Sequence, residues 1–571
     1  MKKVPSDEPV VFGNYNLLMR NRFLLLSIFL LFVSVFISCK SGSGDIELTG
    51  DGYSKYSDKE PVEGDWLIYH LGAEPATLNP ITATDAYESI INSGNIYETL
   101  VKRDNETLEI IPLLVDRWEI SDDKLVYTFF IKKGIKWHDG VPFTSDDVVF
   151  SYEKIMDPKV DAPALRSYYK EIKKVEALDD YTVRFTYARP YFLALEFCGG
   201  MNIVPKHIFD KGDFNTNPAG RQPIGTGPYK FLAWNTGKEI ILERNESYWG
   251  KKPNIKRVVF KIITDPTVTL QVLKRGEIDF AGLTPIQWAK QTSSERFKKQ
   301  FEKLSYFTPN YSFIGWNMNT LFFSDKRVRT AMTYLVNREL ILEKLIYNLG
   351  EVVTNPFYIN SPEYDKLIKP YTYDPLKAKQ LLDEAGWMDH DGDGIRDKEG
   401  VKFDFEFLLP SGSITGEQIS TILKEELKKV GIKMNIRRLE WAVFTKQLDE
   451  RKFDAVTLSW AMGVESDPYQ IWHSSQAEKG SNFIGFKNKE ADQIIEQARI
   501  EFNRKKRIEL YRRFADIVHA EQPYTFLFCR KSTVALSHRF KGVKVHPLGL
   551  DPLEWFVPLP LQRYEQLASN P

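Results

Sequence analysis

Cysteine is almost missing from this chain: it occurs three times in 571 residues, at positions 39, 198 and 529. That excludes a disulfide-stapled scaffold. Histidine is also scarce, with eight copies, and none stands with cysteine or another histidine at metal-ligand spacing. Net charge is missing too. Lysine plus arginine and aspartate plus glutamate number 77 each, so no overall field draws the chain to nucleic acid or anionic lipid. No His-Glu-x-x-His, Gly-x-Ser-x-Gly or phosphate-cradling glycine loop occurs. Nothing in the sequence therefore supports hydrolysis, and no cofactor is implied. After residue 60 there is no long linker, low-complexity segment or fixed-period repeat.

The one long apolar run lies at the start. Phe23 to Ser38 is sixteen residues without a charge, preceded by Arg20 and Arg22 and closed by Phe36-Ile37-Ser38-Cys39. It is shorter than the roughly 20 residues a spanning helix needs. The pattern reads as a lipoprotein signal peptide over residues 1–39, with lipidation of Cys39 and an extracytoplasmic location on a membrane. Met19-Arg20-Asn21-Arg22 supplies the positive start of such a peptide, which places the translation start at Met19. Residues 40–64, rich in Gly, Ser, Asp and Lys, read as a flexible tether.

Roughly 500 residues remain, more than one hydrophobic core organises, so at least two lobes are expected, joined by short hinge strands across a cleft. Lys124 to Lys132 alternates as a half-buried strand. Thr144-Ser145-Asp146-Asp147 opens a helix, Val175 to Tyr187 forms a hairpin about Asp179-Asp180, and Asp374-Pro375 caps a helix that stops at Gly386. Lys402 to Leu409, Glu417 to Val430 and Ile432 to Arg438 read as strand, helix and parallel strand, with Phe453 to Trp460 joining the same sheet. Ligands collect beyond the carboxyl ends of such strands, here Pro410 to Ser413 and the loop from Trp460 to Pro468. Cys198 and Cys529 have apolar flanks, and both a disulfide and two buried thiols stay open. His138-Asp139 reads as part of a turn rather than a catalytic pair. Asp389, Asp391, Asp393 and Asp397 alternate as at the start of a calcium loop, but the twelfth position is Gly400, so a turn-rich hairpin is the stronger reading.

Glu74 to Pro80 (EPATLNP), Pro112 to Trp118 (PLLVDRW), Lys136 to Thr144 (KWHDGVPFT), Gly225 to Tyr229 (GTGPY), Arg244 to Trp249 (RNESYW), Gly276 to Asp279 (GEID) and Asp467-Pro468 resemble, in order, the family 5 solute-binding proteins of ABC importers, the group of oligopeptide, dipeptide and nickel receptors. The resemblance spans residues 66 to about 545. It implies an α/β, two-lobed periplasmic-binding-protein-like fold (type II, cluster C) with a ligand cleft between the lobes. Residues 65–97, 198–308 and 528–571 would form lobe I, 98–197 an inserted subdomain of it, and 309–527 lobe II. It further implies a monomer that is not an enzyme and hands a solute, most simply an oligopeptide or dipeptide, to an ABC permease. Haem, a nickel chelate, a sugar, or an adhesion or sensing role on the same fold remain alternatives, and a peptidase is the rival class.

The resemblance also nominates binding residues. Trp441 and Trp460 keep the nineteen-residue separation of two tryptophans in the oligopeptide receptors, although either could be core. Tyr311, Ser312 and Phe313 match a strand that lends backbone groups to an extended peptide, and Gly282 is a further candidate. The acidic residue common three positions after the tryptophan is here Gly463, and the arginine three positions before it is Thr457. Glu465 and Asp467 are the nearest carboxylates, and Glu465 is the first candidate for a ligand's amino terminus.

Overall fold

The computed structural model describes residues 61–564 apart from Thr84. The expectations for the signal peptide, Cys39 and most of the tether fall outside the described residues. Among the described residues no helix is long and apolar enough to cross a membrane.

Three sheets organise the chain. The largest runs in the order Phe301–Phe307, Phe528–Ser537, Phe280–Gly282, Trp66–Leu71, Arg257–Ile262, Glu239–Arg244 and Tyr229–Asn235, and Gly350–Val352 adds to Phe528–Ser537 off this path. A four-stranded antiparallel sheet joins Val115–Ile120, Val126–Ile131, Thr182–Tyr187 and Ile172–Asp179. The third runs Lys433–Leu439, Asp404–Pro410, Ala455–Ala461, Asn310–Trp316 and Tyr524–Phe526. Its first three strands are parallel to one another, as a strand–helix–strand unit requires.

Each sheet is built from the alternation its sequence carries. Tyr127, Phe129 and Ile131 turn one face of their strand into the core that also holds Leu67 and Leu71 of the large sheet, so the four-stranded sheet shares that core. The five-stranded sheet is buried on both faces: Phe313, Leu408 and Val456 face one core, Ile314, Phe407 and Ala455 the other. Helix Ile414–Lys428 packs there through Ile419, Leu423 and Leu427, one apolar stripe at helical spacing. It begins three residues before its expected start. Gly431 lets the chain leave at φ 77°, where a Cβ would also crowd the Gly394 carbonyl.

The anticipated caps are present. Thr144 closes a reciprocal capping box with Asp147, and Asp374 accepts from the Lys377 amide ahead of Pro375. Asp147 also takes the Trp137 indole N–H at 3.2 Å and the Lys206 amide at 2.9 Å, which ties the KWHDG turn to the helix it precedes. His138 belongs to that turn: its Nε2 lies 2.9 Å from the Gly227 carbonyl. Gly225 and Gly227 are required because a Cβ at either would strike the Ile96 or Asn95 carbonyl oxygen. Cys198 and Cys529 are both free and buried, and burial pushes the Cys529 thiol up to about 11.

The large sheet and the five-stranded sheet are joined by very short crossings. Only Thr308 and Pro309 separate Phe301–Phe307 from Asn310–Trp316, and only Leu527 separates Tyr524–Phe526 from Phe528–Ser537. The crossings lie side by side, with the Asn310 amide reaching the Arg530 carbonyl at 3.4 Å. Gly350–Val352 pairs across the same place with Phe528–Arg530. At the far end of the large sheet, Arg539 is buried between Asp279 and Asp65, donating to Asp279 through Nε at 2.9 Å and a second nitrogen at 2.7 Å. The Asp of GEID thus anchors the C-terminal segment, whose Arg563 and Tyr564 amides bond Asp65.

Candidate ligand-binding site

Apart from Gly282, which ends a strand of the large sheet, the nominated residues lie on the five-stranded sheet or on the segments that leave its carboxyl ends. Trp460 sits in a column of rings, nearly parallel to Phe313 on one side (6.3 Å between centroids) and Phe483 on the other (6.1 Å). Phe313 in turn stacks on Tyr524 at 3.8 Å. Stacked rings fix the indole's orientation while leaving it half-buried. Trp441 opens helix Trp441–Asp449, stacks on Phe444 at 5.7 Å and is 60% exposed. Gly282 ends its strand in the open, with nothing within 4 Å of where a Cβ would stand.

The strand Asn310–Trp316 departs from expectation. It is interior, pairing with Ala455–Ala461 along its length and with Tyr524–Phe526 opposite. The Ser312 carbonyl takes the Leu527 amide at 2.8 Å, and the Ser312 hydroxyl donates to the Phe528 carbonyl at 3.2 Å. Tyr311 and Phe313 are buried in the core. Few backbone groups of this strand are left to lend. The free edge lies next door: Ala455–Ala461 pairs with Asp404–Pro410 only at Ala455 and Val456 and then diverges from it. Beyond Val456, Ser459 and Ala461 are exposed and Trp460 is half-buried. The Thr457 hydroxyl turns inward and donates to the Phe313 carbonyl at 3.1 Å.

Both loop carboxylates are already matched. Glu465 pairs with Arg507 at 2.7 Å, and Asp467 with Arg499 at 2.8 Å, all four side chains being at least four-fifths buried. Asp467 also accepts from the Tyr191 hydroxyl at 3.0 Å. Burial raises the Tyr191 hydroxyl far above its ordinary range, and the Asp467 charge adds to this. Burial by itself would lower Arg499, but Asp467 and Tyr191 together outweigh it and leave the guanidinium raised. Arg530, half-buried beside the crossing, has no ion-pair or side-chain hydrogen-bond partner among the described residues, and burial lowers its pKa. None of Tyr191, Arg499, Arg507 and Arg530 was picked out from sequence, where the one usable signal was the loop's two acids, which must find cations once buried.

The acidic hairpin is closed by Lys402, whose ammonium lies 2.5 Å from Asp391, 3.0 Å from Asp393 and 3.8 Å from Asp397. Asp389 instead accepts the Gly392 and Gly394 amides. Oxygens of Asp389, Asp391 and Asp397 approach within 4.8 Å of one another, as a cation site would need, but the lysine already supplies the charge.

A model of the bacterial extracellular solute-binding proteins, family 5 (Middle), matches residues 109–482. The oligopeptide-binding protein AppA of Bacillus subtilis (strain 168) is 33% identical over 537 residues, covering 92% of this chain and 96% of that protein. Its solved structure in complex with a nonapeptide superposes with a TM-score of 0.77 at 32% identity, over 87% of this chain and 100% of that one. DppA from Helicobacter pylori, an ABC transporter-associated periplasmic binding protein solved with the peptide STSA, gives 0.74 at 27% identity, over 87% and 98%. NikZ from Campylobacter jejuni, solved with Ni(L-His), gives 0.73 at 28%, over 86% and 99%.

Proposed function

The chain belongs to the family 5 extracellular solute-binding proteins, and from that membership we propose that it is the peptide-capturing receptor of an ABC importer. It captures solute outside the cytoplasmic membrane, held there by lipidated Cys39, and passes it as a monomer to a permease. The large sheet with residues 65–97, 198–308 and 528–571 is one lobe, the four-stranded sheet within 98–197 its insert, and 309–527 the second lobe. Binding is capture without turnover.

The observation that carries this reading is the open edge beside Trp460. A strand that loses its neighbour after Val456 offers unpaired main-chain groups at the carboxyl end of a sheet, where an extended peptide adds as another strand. Each such hydrogen bond contributes about 0.5–1.5 kcal/mol whatever the side chain. Several, with Trp460 and Trp441 as aromatic surfaces, reach the roughly 8 kcal/mol of a micromolar complex. Arg530 supplies a cation for a ligand carboxylate. Because Glu465 and Asp467 are occupied by arginines, the peptide's amino terminus is not what the loop reads.

Mass spectrometry of material released from protein purified under native conditions tests the solute class. Peptides of mixed sequence support the proposal, whereas a metal chelate or a tetrapyrrole overturns it. Calorimetry with a released peptide and its N-acetylated form then tests the mode of reading, with affinities expected within about tenfold of each other.

A further inference from the structure

Two consecutive residues of the insert, Tyr191 and Phe192, reach the second lobe at the loop that leaves Trp460. Each lies against an arginine: the Arg499 guanidinium is 4.8 Å from the Tyr191 ring centre, and that of Arg507 is 4.2 Å from Phe192. Each arginine is held by a carboxylate of that loop, Arg499 by Asp467 and Arg507 by Glu465. Two hydrogen bonds complete the contact. The Tyr191 hydroxyl donates to Asp467 at 3.0 Å, and the Phe192 amide donates to the Arg499 carbonyl at 2.9 Å.

We infer that this loop is the catch for cleft closure: Asp467 and Glu465 hold Arg499 and Arg507 as a receptacle into which Tyr191 and Phe192 dock when the lobes come together. The inference rests on the two-lobed reading proposed above and assigns the loop carboxylates a positioning role in place of ligand recognition.

The division of contacts supports this. Both ion pairs lie within residues 309–527, so they persist whether or not the insert is near. What opening breaks is the set that crosses, which includes the hydroxyl–carboxylate bond, the backbone bond, the two ring–guanidinium contacts, the edge-on contact of Phe192 with Tyr511 at 6.3 Å and that of the Lys170 ammonium with the Tyr469 ring at 5.8 Å. The receptacle is thus preorganised, and an arginine already fixed by a carboxylate loses little freedom when a ring covers it. Desolvation under the docked rings strengthens the hydroxyl–carboxylate bond, since the same charges interact more strongly away from water. The loop begins one residue beyond Trp460, so a ligand that shifts the open strand edge moves the receptacle with it.

Hydrogen exchange of the full-length protein without added solute reads the catch directly through the Phe192 amide. Tyr191→Phe removes only the hydroxyl, and its loss should speed exchange at Phe192 roughly tenfold, the scale of a hydrogen bond to a charged group. Asp467→Asn should do the same, while strands Asp404–Pro410 and Val126–Ile131 exchange as before. A purely structural role would instead raise exchange throughout the four-stranded sheet. With an equimolar random nonapeptide pool as probe, Tyr191→Phe should speed dissociation about tenfold and leave association unchanged. Unaltered exchange at Phe192 in both variants overturns the catch. If exchange responds but the pool does not bind, the peptide reading falls and the catch stands; binding with unaltered dissociation overturns the catch alone.

Discussion

Acidification from pH 7 toward 4 should destabilise this protein by about 3 kcal/mol through a single imidazole, that of His138. Its Nδ1 accepts the Gly225 amide at 3.2 Å and its Nε2 faces the Gly227 carbonyl at 2.9 Å, an arrangement that uses the neutral ring. The ring's pKa is lowered from 6.5 to about 4, chiefly by burial and in part by the Lys230 ammonium, against the opposing Gly227 carbonyl and Asp139. Between those values the unfolded chain binds a proton that the folded chain refuses. Stability from this site is therefore complete above pH 6.5 and is lost as the pH falls toward 4. One proton gives a slope of about 1.4 kcal/mol per pH unit, and 6.5 less about 4 leaves roughly 2.5 units, hence about 3 kcal/mol. His138→Gln keeps an amide donor and acceptor but cannot titrate in this range. Urea midpoints of the two proteins from pH 7 to 4.5 should converge as the pH falls, with wild type losing stability faster. Parallel lines would refute the argument, because every other titrating group is common to both.

The buried triad is the next place to cut. Arg539→Met strands two carboxylates and should cost about 3–5 kcal/mol, and adding Asp279→Leu should recover part of that loss in thermal unfolding. Calcium at millimolar concentration should leave the melting temperature unchanged, because Lys402 holds the acidic hairpin; Lys402→Met should make the hairpin calcium-responsive, and a response in wild type would count against the lysine's role. Cys39→Ser should abolish labelling by a fatty-acid probe and leave thermal unfolding as it was. Ligand saturation should shrink the radius of gyration in small-angle scattering and shift tryptophan emission, since Trp460 stands at the open strand edge.

Much of the fold was legible because local pattern and local structure coincide. The Tyr127, Phe129, Ile131 alternation, the Thr144–Asp147 box and the Asp374-Pro375 start each act within a few residues, and each appears where the sequence placed it. The site was less legible for the opposite reason. Asp467 finds its partners at Tyr191 and Arg499, and the Asp of GEID finds Arg539 260 residues away, and nothing in either neighbourhood names such a mate. Family position gave the loop carboxylates to the ligand, whereas burial gave them to arginines. The resemblance puts Tyr311, Ser312 and Phe313 beside the ligand, but which edge of a sheet stays open is decided by where Asp404–Pro410 diverges, a property of twist that no single strand encodes.

The paired crossings set what kind of machine this can be. Thr308 and Pro309 between them contribute three soft torsions, whereas Leu527 is held on both sides, its amide by the Ser312 carbonyl and its carbonyl by the Val353 amide. Two such short links side by side, laced by Asn310 and by the strand Gly350–Val352, favour a narrow swing of one sheet against the other, like a door's, over free rotation about a single strand. If the lobes close as proposed, that swing brings the same two faces together each time.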